Sequence, residues 1–272
     1  MKLKYIIKYP LKIFIKILKY LLKEFYEYKN PFEKRYQTII KTYKSCGFNE
    51  DRIFYIETLN KILNELGYSE YSELEGMYSE HLIIFTAISL QNKNIKNILE
   101  IGTYDAKTTT ILSRLFPFSK VTTIDLKDDD PTFLNTYSRQ HDYKYFINKR
   151  NNLISNFKNI QFIKINSLNL SLKNLDLPKQ DLIWVDGAHG YPVVASDITN
   201  AIGLMHQKSI LMCDDIWEKT RKKDSIYKSD AGFETLSSFA KADILENYFF
   251  RKRIGKNFNG IYKYISLSKL II

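Results

Sequence analysis

From residue 96 onward, short apolar runs alternate with longer helical stretches, and this alternation constrains the fold more than any other feature. Asn97–Ile101, Lys120–Leu126, Ile160–Ile165, Asp181–Val185 and Ser209–Cys213 read as strands. Lys107–Phe116 and Val193–Met205 read as helices between them. Strand–helix alternation at this spacing gives βαβ units and a mostly parallel sheet, an α/β fold of the Rossmann-like kind. The end of the chain differs. Gly232–Glu246 reads as a helix, and Tyr248–Ile254 and Gly260–Leu267 as two strands. Gly255, Asn257, Asn259 and Gly260 lie between them, as in a closing antiparallel hairpin.

Before residue 93 no strand pattern is present. Phe32–Tyr43, Asp51–Leu66 and Gly76–Leu90 carry helical spacing, with Asn49 and Ser69 as candidate caps and Gly67 as a candidate stop. Three regions follow: a basic helix over 1–30, a helical region over 31–92 and a Rossmann-like domain over 93–272. Two cysteines, Cys46 and Cys213, exclude a disulfide scaffold or a Cys-rich zinc module and suit a reducing, cytoplasmic setting.

The net charge is +11, and residues 1–30 carry eight lysines against two glutamates. The body is therefore only weakly basic, and a nucleic-acid partner is not expected. Lys4, Lys8, Lys12, Lys16, Lys19 and Lys23 fall in one helical arc of roughly 120°. Ile6, Ile13, Phe14, Ile17, Leu18 and Leu21 lie mostly opposite, and Pro10 is expected to break or kink the helix. The segment is too interrupted to span a bilayer or to serve as a signal peptide. Two readings stay open: a helix on an anionic inner membrane face, or one packed on the body or on a second copy of the chain.

The first strand runs into Leu99-Glu100-Ile101-Gly102-Thr103-Tyr104-Asp105-Ala106-Lys107-Thr108-Thr109. A glycine at a strand tip lets the backbone turn tightly and approach a ligand, and the following helix offers free N–H groups. G-x-G-x-x-G is absent, so a pyrophosphate is poorly served. The second strand ends in Asp125, placed to accept from ribose hydroxyls. Glu100 in the turn suits a cationic group. A nucleoside with a positive group and no phosphates describes S-adenosylmethionine.

The fourth strand leads into Asp186-Gly187-Ala188-His189-Gly190-Tyr191, and the fifth into Asp214-Asp215-Ile216-Trp217. If the two strands are neighbours, Asp186, Asp214 and Asp215 converge. Uncompensated, they would raise one another's pKa values. Mg²⁺ or a similar divalent ion removes the conflict. His189 is then placed to take a proton from an acceptor hydroxyl that the metal polarises. His81 reads as a packing residue, and no G-x-S-x-G or P-loop motif is present.

These residues resemble the class I S-adenosylmethionine-dependent methyltransferases, in particular the metal-dependent O-methyltransferases of sugar hydroxyls on macrolides. The resemblance covers about residues 75–215. It implies a seven-stranded sheet with a reversed last hairpin and a cofactor over the first two strand tips. By position it assigns Glu100, Gly102, Thr103, Tyr104, Asp125, Asn166, Ser167 and Asp186 to the cofactor. It assigns Asp186, Asp214 and Asp215 to the metal, and His189 with Asp186 to catalysis. The segment 75–80 resembles the piece that caps the cofactor. Ala106 stands where many relatives have a second glycine.

The expected activity is methyl transfer to a hydroxyl of a saccharide or surface-glycan precursor. Arg221-Lys222-Lys223 and Arg251-Lys252-Arg253 offer contacts to an anionic acceptor, and residues 218–230 a lid. A homo-oligomer is compatible with the sequence. Two other readings compete: an inactive scaffold at the membrane surface, and a metal-independent methyltransferase.

Overall fold

The computed structural model describes residues 4–49, 51–73, 78–136, 142–172, 175–218, 229–255 and 263–271. Seven strands form one sheet: β1 (Asn97–Ile101), β2 (Lys120–Asp125), β3 (Ile160–Lys164), β4 (Gln180–Val185), β5 (Met205–Ile216), β6 (Leu245–Arg251) and β7 (Tyr264–Leu270). Their spatial order is β3-β2-β1-β4-β5-β7-β6. β1 to β5 pair in parallel, and β7 runs antiparallel between β5 and β6. The expected parallel sheet with a reversed end is present, and the reversal lies in β7. The residues of the expected turn between β6 and β7, 256–262, lie outside the described residues, as do 219–228 of the expected lid.

The chain builds β2 and β3 on one side of β1, then returns to place β4 on the other. The carboxyl ends of β1 and β4 therefore form the switch point at which open α/β sheets bind ligands. Helices cover both faces. On one, α2 (Phe32–Ser45), α3 (Arg52–Glu65), α4 (Glu80–Gln91) and α5 (Lys107–Leu115) share a core with the sheet, where Leu59, Leu63 and Phe85 lie with Leu182, Trp184 and Phe250. On the other, α8 (Val193–Gly203) and α9 (Ala231–Lys241) cover Leu99, Ile183 and Leu211 through Val194, Ile198 and Leu236. Between β2 and β3 lie α6 (Pro131–Asn135) and α7 (Tyr143–Ser155).

Several boundaries move. α8 stops at Gly203, and Met205, expected in the helix, opens β5 by pairing with Gln180. The helix expected through Glu246 ends at Lys241. Asp243 turns the chain with φ 54, and Leu245 and Glu246 join the sheet opposite Leu270 and Lys269. In both cases sheet pairing outweighs local helical spacing. α3 is capped by Asp51, whose side chain accepts from the Ile53 N–H at 3.3 Å, rather than by Asn49. It stops as expected at Gly67, with φ +70 and the Tyr68 N–H donating to the Leu63 carbonyl at 2.8 Å. α4 begins after Ser79, ten residues beyond the expected cap Ser69.

α1 (Lys4–Lys29) is one helix through Pro10, contrary to the expected break. Pro10 sits in the second turn, where its missing N–H removes a single bond to the Ile6 carbonyl and leaves the later turns intact. Ile13, Phe14, Ile17, Leu18, Leu21 and Phe25 are all exposed. Among the described residues no helix is long and apolar enough to cross a membrane.

Candidate active site

The turn after β1 is the tightest point of the switch region. Gly102 adopts φ +105, and a Cβ built there would lie 2.4 Å from the Asp186 carbonyl oxygen. Only glycine permits this approach between the β1 and β4 tips. The Gly102 N–H donates to the Ile124 carbonyl, and the Asp186 N–H to that of Ile101, at 2.9 and 2.8 Å. Tyr104 and Ala106 also adopt positive φ, 48° and 64°. The turn thus winds through three left-handed residues before α5.

Asp125 faces this turn from the end of β2. Its Oδ2 accepts from the Tyr104 N–H at 2.9 Å, and Oδ1 from the Leu126 N–H at 2.8 Å. Thr103 is buried, its hydroxyl 2.6 Å from that of Thr123, and the Tyr104 ring packs on Phe146. Glu100 lies beneath the turn with no exposure. Its Oε2 accepts from the Thr123 hydroxyl at 2.6 Å and from Thr109, while Oε1 has no partner among the described residues. Burial pushes its carboxyl up to about 8. Asn166 and Ser167 follow β3 beside Asp125: the Ile165 N–H donates to the Asp125 carbonyl at 2.7 Å, and Asn166 Oδ1 caps the Ser167–Asn169 turn. Of the residues expected to hold the cofactor, Gly102, Tyr104, Asp125, Asn166 and Ser167 lie along one edge of the sheet, whereas the Glu100 and Thr103 side chains are buried beneath the turn and do not face it.

The acids meet at the next pair of strand tips. Consecutive strand residues normally point to opposite faces. Here the β5–β7 register shifts between Cys213 and Ile216, and Asp215 takes φ 51. This bulge turns Asp214 and Asp215 toward the same ammonium group. Lys252 Nζ donates to Asp214 Oδ2 and to Asp215 Oδ1, each at 2.5 Å, and Lys263 Nζ to Asp215 Oδ2. His189 Nε2 stands 3.9 Å from Asp186 Oδ1 and 3.8 Å from Asp215 Oδ2, near both and hydrogen-bonded to neither.

Burial and the neighbouring Asp214 push Asp186 well above the usual carboxylate range. Burial acts upward on Asp214 too, but the Lys252 ammonium outweighs it and holds Asp214 low. Burial lowers His189, and Asp215 and Asp214 only partly oppose it, so its imidazole is neutral and able to accept a proton.

Asp186, His189 and Asp214 offer donor atoms that all lie within 4.8 Å of one another. Asp214 Oδ1 is buried without a hydrogen-bond partner among the described residues. These three donors fit a divalent ion. Asp215, expected with them, is not in that set, because both its oxygens face lysines.

The sequence reading offered Lys252 only as a contact to an anionic acceptor and did not single out Lys263. The signal was present: they flank the hairpin expected beside the fifth strand, and its acidic pair needs counter-charge. The 251–253 run is neither a solvated face nor an open anion patch. Lys252 turns onto the acids, Arg253 is buried, and Arg251 lies over the Tyr264 ring. Arg221-Lys222-Lys223 lie outside the described residues.

His81 packs as expected, stacked on Trp184 at 4.9 Å between centroids. Glu80, from the segment expected to cap the cofactor, is buried and held by Arg52 and Tyr43, and residues 74–77 lie outside the described residues.

Residues 99–216, from within β1 to the end of β5, match the family model of a methyltransferase domain. No curated protein matches the sequence. Among solved structures, cofactor-bound Rv0187 from MTB aligns at 14% identity and TM-score 0.51, over 81% of this chain and 90% of its own. It has the same fold. The O-methyltransferase TomG from Streptomyces achromogenes, solved with SAM, aligns at 14% identity and TM-score 0.48, over 88% and 98%. An O-methyltransferase from Bacillus cereus, in complex with SAH, aligns at 12% and 0.48, over 88% and 99%. The chain has the Rossmann-like fold of these structures, and its segment 99–216 is similar to a methyltransferase domain.

Proposed function

We propose that this chain transfers a methyl group from S-adenosylmethionine to a hydroxyl oxygen of a saccharide or surface-glycan precursor. The observation that carries the reading is the pairing of two sites on one sheet edge. A carboxylate and a glycine turn at the β1–β2 tips suit a nucleoside, and a neutral imidazole among acids at the β4–β5 tips suits deprotonation of a hydroxyl. Asp125 is the candidate partner of the ribose hydroxyls, and Asn166 and Ser167 flank it on the side of β3. TomG is described as a SAM complex, and the Bacillus protein as a SAH complex.

In this reading His189 accepts the hydroxyl proton, and the freed oxygen attacks the methyl carbon in line as the methyl–sulfur bond breaks, its electron pair leaving on the sulfur of S-adenosylhomocysteine. Asp186, Asp214 and the backbone turn at Gly102 hold the two reactants at the switch point, so that orientation and fixed charge supply most of the rate. Asp186, His189 and Asp214 would hold a divalent ion, which when bound would polarise the acceptor hydroxyl.

The test uses labelled S-adenosylmethionine and a panel of hydroxylated saccharides. Removing a positioned general base costs about 10²–10⁴-fold. His189→Ala is expected to lower turnover by that order with cofactor binding retained, and full activity in that variant would refute the role.

The exposed apolar side of α1, with lysines opposite, supports a second element of the proposal: the enzyme sits on an anionic membrane surface on the cytoplasmic side. There it would meet an acceptor on a lipid-linked precursor.

A further inference from the structure

The acid cluster already contains cations. Asp214 and Asp215 are met by the ammonium groups of Lys252 and Lys263, so these two carboxylates already have counter-charge before any ion binds. Lys252 is also built into place. Its N–H donates to the Lys263 carbonyl at 2.8 Å, and its carbonyl accepts from the Glu80 N–H at 3.0 Å. Two residues on, the Ile254 carbonyl accepts from Arg35 Nε at 2.8 Å. A Cβ at Gly255 would fall 2.2 Å from the Glu73 carbonyl oxygen. Helices α2 and α4 therefore hold the end of β6 against the site, and the Lys252 side chain is only 17% exposed.

Asp214 divides its two oxygens. Oδ2 is held by Lys252, and Oδ1 is buried, unpartnered among the described residues, and belongs to the donor set with Asp186 and His189. An ion bound by that set would lie against the same carboxylate as the ammonium, where like charges at short range repel strongly. We propose that Lys252 is a resident counter-cation of the carboxylate cluster, and that it and a divalent ion are alternative partners of Asp214. An ion binds at Asp186, His189 and Asp214 only as the ammonium withdraws. The proposal rests on reading this cluster as the acceptor half of the methyltransferase site.

The experiment is calorimetric titration of Mn²⁺ into the full chain, with thermal melting in chelator and in saturating Mn²⁺, for the wild type, Lys252→Met and Lys252→Gln. The variants are expected to bind Mn²⁺ at least about tenfold more tightly than the wild type. Adding Asp214→Asn to either is expected to remove the gain. A variant that melts early in chelator is expected to be restored by Mn²⁺. Equal affinity in wild type and variants overturns the proposal, as does a variant that stays unfolded in saturating Mn²⁺. S-adenosylmethionine titrated into the same wild-type sample keeps the two ideas apart: failure to bind strikes the methyltransferase reading and leaves the Mn²⁺ comparison standing.

Discussion

At the scale of single residues, Gly102 and Ala106 both adopt positive φ, under different constraints. Gly102 is required twice, by φ +105 and by the Asp186 carbonyl 2.4 Å from where its Cβ would sit. Ala106 adopts φ 64 with its side chain fully buried, a conformation that costs an L residue about 1–2 kcal/mol. Gly102→Ala is therefore expected to push the β1 and β4 tips apart, lowering stability in urea unfolding by a few kcal/mol and weakening cofactor binding. Ala106→Gly relieves the strain while loosening the unfolded chain, and is expected to change stability by less than about 1 kcal/mol. A loss in Ala106→Gly as large as in Gly102→Ala would contradict this account of the turn. The alanine that departs from the resemblance is thus tolerated by the backbone rather than by a different turn.

Among the elements, α3 and α4 matter through one buried charge cluster. Glu80 accepts from Arg52 Nε and Nη2 at 2.8 and 2.7 Å and from the Tyr43 hydroxyl at 2.8 Å. Arg52→Met would leave the Glu80 carboxylate buried with the Tyr43 hydroxyl as its remaining side-chain donor among the described residues, at a cost of about 3–5 kcal/mol. Since the Glu80 N–H also holds the Lys252 carbonyl, the same variant is expected to disturb the acid cluster, read as a change in Mn²⁺ affinity. Urea unfolding of Arg52→Met within about 1 kcal/mol of wild type would contradict this.

Much of this level was legible in the sequence. The β1, β2, β3 and β4 runs are short, apolar and bounded by turn residues, so their hydrophobic pattern located them to within a residue. The ends of β5 and β6 were not, because they are set by pairing with Gln180 and Leu270, and pairing partners leave no mark on local periodicity. The site divides the same way. Gly102, Asp125, Asp186 and His189 announce themselves beside strand tips. Lys252 sits in an ordinary basic stretch and Lys263 between two tyrosines, and only the antiparallel return of β7 brings them onto Asp214 and Asp215.

Across the whole molecule, α1 stands apart from the rest. The helices that follow it share the core of the sheet, whereas Ile13, Phe14, Ile17, Leu18, Leu21 and Phe25 of α1 are exposed. Deleting residues 1–28 is expected to leave the melting temperature of the body nearly unchanged. Flotation with anionic liposomes is expected to be lost, and flotation that survives the deletion would contradict a membrane role for α1. The body itself is organised around the switch point between β1 and β4, with the glycine turn and Asp125 on β1 and β2 and the acid cluster on β4 and β5.

That division rests on Asp125, whose carboxylate is fixed by the Tyr104 and Leu126 N–H groups at the edge of the glycine turn. Calorimetric titration of S-adenosylmethionine into the wild type and Asp125→Ala tests it most directly. The expected result is saturable binding by the wild type that weakens at least about tenfold in the variant, the loss of one or more charge-assisted hydrogen bonds. No binding by the wild type, or equal binding by both proteins, would contradict the placement of the cofactor on the tips of β1 and β2.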